Sequence, residues 1–97
     1  MATGTIKAIQ TQLYTKTLNK SGVAVGAGSV SDYDFDISLA GYSYVGIVGW
    51  QLNSAGACGI VYINKIGTNT ARVRLRNNGT ASVTPDSIDL TVLYQKI

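Results

Sequence analysis

Tyr33-Asp34-Phe35-Asp36-Ile37-Ser38-Leu39 sets an apolar side chain at every second position with a polar one between. In an extended chain successive side chains point to opposite faces, so Tyr33, Phe35, Ile37 and Leu39 share one side of a β-strand and the polar set takes the other. The same period recurs in Ala71-Arg72-Val73-Arg74-Leu75-Arg76. It recurs again at 88–95, where Ile88, Leu90, Val92 and Tyr94 alternate with Asp89, Thr91, Leu93 and Gln95. Two more segments are apolar at both parities. Residues 42–52 carry Tyr42, Tyr44, Val48, Trp50 and Leu52 at even positions and Val45, Ile47 and Gly49 at odd ones; residues 60–66 are β-branched and aromatic. Both are expected to be strands, with 42–52 covered on two faces. Residues 5–18 alternate softly, and 23–30, interrupted by Gly26 and Gly28, read as a bent or bulged segment. Turn-forming clusters fall at 19–22, 40–41, 53–59, 67–69, 77–79 and 84–86, and the only proline, Pro85, sits in the loop before the last strand. No window shows a convincing 3.6-residue period. The expectation is an all-β chain with essentially no helix: a small, jelly-roll-like antiparallel β-sandwich of six to eight strands.

Ninety-seven residues suit one core. A single domain is expected, with residues 1–18 as an N-terminal strand that could contact a neighbouring subunit or an upstream stalk, and 19–97 as the sandwich. Hydrophobic residues make up 45% and charged ones only 13%, too apolar and too weakly charged for disorder. The net charge of +3 comes from five Asp and no Glu set against eight Lys and Arg. That is too thin a basic cover for a dedicated nucleic-acid partner. Cys58 is alone, so no intrachain disulfide forms, and a buried, inert thiol is expected. Neither a signal peptide nor an apolar run long enough for membrane insertion is visible, which fits synthesis in a cytoplasm.

The chain has no histidine, which removes the commonest general base, Ser-His and Cys-His nucleophile pairs, and histidine-based zinc sites. No catalytic residue, metal site or cofactor is expected. Asp32, Asp34 and Asp36 share parity and lie roughly 6.5–7 Å apart along a strand. Such carboxylates could serve glycoside hydrolysis or hold a hard cation, but a solvated strand face is the plainer reading. Arg72, Arg74 and Arg76 form a cationic row. It is suited to carboxylates, phosphates or acidic sugars, or else to pairing with the Asp row on a neighbouring strand. Trp50 and the six tyrosines could form sugar-stacking platforms, but Trp50, Tyr33, Tyr44 and Tyr94 sit in strand patterns and are expected in the core, whereas Tyr14, Tyr42 and Tyr62 are candidate contact residues. The candidate ligand-binding set is Arg72, Arg74, Arg76, Tyr42 and Tyr62.

From Gly41-Tyr42-Ser43-Tyr44-Val45-Gly46-Ile47-Val48-Gly49-Trp50, through 58–66, to Ala71-Arg72-Val73-Arg74-Leu75-Arg76-Asn77 and Ile88-Asp89-Leu90-Thr91-Val92-Leu93-Tyr94, the chain resembles the distal β-sandwich domains of phage and prophage tail proteins, which are receptor-binding or baseplate-tip modules. The resemblance covers about the last two-thirds of the chain and consists of strand endings and hydrophobic texture. It implies an antiparallel sandwich, a homotrimer, a place in the virion at the tail tip or fibre, and attachment to a bacterial surface polysaccharide. It carries over no ligand contact by position. A structural trimerisation module without a ligand, a carbohydrate-binding module of a bacterial surface protein, and a glycan-active enzyme using Asp34 and Asp36 are the competing readings.

Overall fold

The computed structural model describes residues 12–97. Six strands run through them: β1 (Leu13–Ser21), β2 (Val30–Asp36), β3 (Tyr42–Asn53), β4 (Cys58–Lys65), β5 (Thr70–Asn77) and β6 (Ser87–Lys96). They form two antiparallel sheets of order β1-β6-β3 and β2-β5-β4, with no helix among the described residues. Only the β4–β5 turn joins neighbours within one sheet; every other connection crosses between sheets. The two late strands, β5 and β6, are each inserted between two earlier ones. This is the jelly-roll-like sandwich expected from the period-two pattern.

The core follows from that order. Central strands are covered on both flanks, so Ala71, Val73 and Leu75 of β5 and Ile88, Leu90, Val92 and Tyr94 of β6 are at most 1% exposed. Each such large side chain contributes roughly 1.5–3 kcal/mol of apolar transfer energy. Phe35 of β2 and Ile37 just beyond it close the core, and the Tyr94 hydroxyl donates to the Ile37 carbonyl at 2.9 Å, satisfying the one polar atom that the ring carries inside. Cys58 is buried among apolar neighbours, and burial pushes its thiol pKa up. The bent 23–30 segment buries Val23 and Val25; its backbone forms an isolated bridge, Val25 with Val83, and the Ser29 carbonyl accepts from the Asn77 amide at 3.0 Å.

Asn77 is the one fully buried polar side chain among the described residues. Its Nδ2 donates to the carbonyls of Val25 at 3.1 Å and Ala81 at 2.8 Å, and its Oδ1 accepts from the Gly79 amide at 2.8 Å. Two irregular loops, 22–29 and 78–86, are thereby tied to the end of β5.

Two expectations change. The described part of the 1–18 segment belongs to the sandwich itself: β1 pairs with β6 from Leu13↔Gln95 to Ser21↔Ser87, while residues 1–11 lie outside the described residues. Strand 42–52 is not covered on two faces. β3 is an edge strand, and register shifts at Val45 and Val48 each insert one residue. The side facing the core therefore runs Tyr44, Ile47, Trp50 and Leu52, opposite Tyr94, Val92, Leu90 and Ile88. Val45, Val48 and Trp50 remain 48%, 55% and 59% exposed. The expectation of a core Trp50 is thus overturned: the register turns its side chain toward the inner face, but no strand lies beyond β3 to cover it.

Candidate functional site

The outer face of the β2-β5-β4 sheet carries the charged rows. Cross-strand register sets Asp34 opposite Arg72 and Asp32 opposite Arg74. Both contacts are two-pronged. Arg72 Nε and Nη2 reach Asp34 at 2.8 and 3.1 Å, and Arg74 Nε and Nη2 reach Asp32 at 2.7 and 2.9 Å. The planar guanidinium fork matches a carboxylate, so each pair is fixed in orientation as well as charge. These hydrogen bonds hold both carboxyls below the usual carboxylate range and raise the pKa of both arginines. Asp36 stands apart: its Oδ1 accepts from the Ser38 amide and hydroxyl, which depresses its pKa in the same direction.

On the other flank of β5, Tyr62 lies opposite Arg74, and the guanidinium carbon sits 4.9 Å from the ring centroid. Arg74 is therefore held between a carboxylate and an aromatic face. Arg76 has neither. Its register partners are Val30 on β2 and Gly59 on β4, and its Nε donates to Asn78 Oδ1 at 2.9 Å. The arginine row of the sequence is thus two neutralised members and one without a carboxylate partner among the described residues.

Where the two sheets meet at their β3 and β4 edges the sandwich stays open. A cleft of about 360 Å³ runs between them, lined by Ile47 and Trp50 of β3 and by Ile60, Val61, Tyr62 and Ile63 of β4. A register shift at Val61 turns Ile60 and Ile63 inward, opposite Leu75 and Val73, and sends Tyr62 to the outer rim. Both aromatics stand at this margin: exposed Trp50 on one wall, and Tyr62, backed by Arg74, on the other. No charged residue occurs between Asp36 and Lys65, so β3, and β4 up to Asn64, are neutral.

A second cleft, of about 480 Å³, lies at the end of the sandwich where β3 begins. Its lining includes Tyr42, Tyr44, Ser38, Ser43, Thr68 and Asn69. Tyr42 is half-buried there, its ring 5.5 Å from Tyr14 and 6.5 Å from Tyr94, and Lys65 Nζ lies 5.6 Å from the Tyr44 ring. The five candidate residues therefore do not converge. Arg72, Arg74, Arg76 and Tyr62 share one sheet face, and Tyr42 belongs to the far end. Trp50, weighed as a sugar-stacking residue but assigned to the core by its strand pattern, is the aromatic that the structure leaves exposed.

Among the described residues no three His, Cys, Asp or Glu side chains gather in a way that could hold a metal ion. No protein-family model matches the chain, and no curated protein and no solved structure is significantly similar to it.

Proposed function

We propose that this domain is a binding module of the phage-tail type, which attaches to a bacterial surface glycan and carries out no reaction. The observation that carries the reading is the neutral edge cleft with Trp50 exposed at its mouth and Tyr62 on its outer rim. Aromatic faces stack on sugar rings, and the Trp50 indole N–H and Tyr62 hydroxyl offer hydrogen bonds beside them. The resemblance of residues 41–94 to tail-tip sandwiches supports the same class and, with it, a place in the virion. The carboxylates argue against glycoside hydrolysis. A general acid needs a raised pKa, whereas Asp34 and Asp36 are both shifted downward by hydrogen-bond donors.

Trp50 is the only tryptophan, so its emission reports on the cleft directly. Titration with wall polysaccharides from candidate bacteria is expected to shift that emission saturably. Trp50→Ala is expected to lose binding to intact cells while retaining its circular dichroism. Unchanged cell binding in the variant would remove the cleft from the proposal.

A structural role in assembly, as a trimerisation module without a ligand, is the second reading. It is favoured by exposed Val45, Val48 and Val61 on edge strands β3 and β4, which carry no charge before Lys65, since neutral apolar edges pair readily with another copy. Sedimentation at several concentrations separates the two: a stable trimer that binds no cell supports assembly alone.

A further inference from the structure

We infer that Arg76 is the anion-reading residue of the domain and that the glycan it recognises carries a negative charge, as a carboxylate or a phosphate. This inference rests on the glycan-binding proposal above. Its basis is a contrast within one strand. Arg72, Arg74 and Arg76 occupy successive outward positions of β5, yet the register gives a carboxylate only to the first two. At the third step β2 offers Val30, and β4 offers Gly59, where a Cβ would meet nothing within 4 Å.

The space beside Arg76 is therefore open, and the side chain is exposed. Its one protein partner also prepares it. Asn78 Oδ1 accepts from Nε at 2.9 Å, and the Asn78 backbone N–H donates to the Ala57 carbonyl at 3.1 Å. The guanidinium is thus anchored through Nε, while its two terminal nitrogens have no acceptor among the described residues. That half of the fork is what an incoming carboxylate or phosphate needs. Arg76 follows Arg74 by two residues, about 7 Å along the strand, so a saccharide resting on Tyr62 reaches it with an acidic group on the same or the next sugar.

Three polymers of matched length serve as probes: poly(glycerol phosphate), an oligogalacturonate and a neutral glucan, with intact cells in parallel. Saturable binding to one of the acidic polymers is expected, and which one binds separates phosphate from carboxylate. Arg76→Gln is expected to weaken that binding, and cell binding, about tenfold or more, as loss of a charge-assisted contact does. Lys16→Gln removes one positive charge from exposed β1 in the other sheet and is expected to stay within about twofold of the parent chain, because an exposed distant charge is screened. Equal affinity for the neutral glucan, or equal binding by the two variants, overturns the role of Arg76 and leaves glycan attachment standing. Failure to bind any polymer or any cell overturns both.

Discussion

Replacing Asn77 with alanine removes the only fully buried polar side chain among the described residues and the three hydrogen bonds that hold loops 22–29 and 78–86 to β5. One partner keeps an alternative, because the Val25 carbonyl still accepts from the Val83 amide at 3.0 Å. The Ala81 carbonyl and the Gly79 amide sit in part-buried bonds and lose their partner outright. At about 1 kcal/mol net per bond, Asn77→Ala should cost about 2–3 kcal/mol. For a domain of this size that corresponds to a Tm lower by roughly 10–20 °C.

Asn77→Asp sharpens the argument. The new carboxylate keeps the Gly79 contact but turns an oxygen toward two carbonyls in a buried site, so its folded pKa lies above its unfolded value of about 3.9. The deficit relative to the parent chain is then smallest below the unfolded pKa. It grows as pH rises and levels off above the folded pKa. Urea unfolding followed by circular dichroism between about pH 3 and pH 8 reads both quantities. A cost below about 0.5 kcal/mol for Asn77→Ala, or a pH-independent deficit for Asn77→Asp, refutes the view that this amide ties the loops down.

Leu90 is fully buried on the central strand β6, and Leu90→Ala is expected to cost about 3 kcal/mol in the same unfolding assay; a cost under 1 kcal/mol would mean that the two sheets do not pack as described. Asp32 and Asp34 titrate below the usual carboxylate range because Arg74 and Arg72 donate to them. Their stabilisation is therefore complete above an unfolded pKa of about 3.9 and fades as pH falls through the lower folded values, with Asp36 and Asp89 adding in the same direction. Tm profiles in acid should be flatter for the double variant Asp32→Asn, Asp34→Asn than for the parent chain, and superimposable profiles would contradict the pairing.

Alternation of side chains along one strand is a local property, and it was readable wherever the strand is regular. Ala71, Val73 and Leu75, then Ile88, Leu90, Val92 and Tyr94, could be assigned to the core because β5 and β6 carry no register shift against β2 and β1. β3 defeated the same reasoning. Each of its two inserted residues reverses the face of everything beyond it, so even and odd positions of 42–52 no longer mark two sides. Whether a strand lies at an edge is likewise invisible in its own residues. Trp50 looked like core because its neighbours are apolar, and it is exposed because β3 ends its sheet.

The charged rows show the same division. Their placement on outward faces, and the absence of an imidazole to move protons, could be read directly from the chain, since both depend only on residue type and period. Which arginine meets which carboxylate could not. Residues about 40 positions apart are brought together by the β2–β5 register, and one step of that register decides that Arg72 and Arg74 are neutralised while Arg76 faces Val30 and open space. Local periodicity determines which way a side chain points; only the pairing of distant strands determines what it finds there.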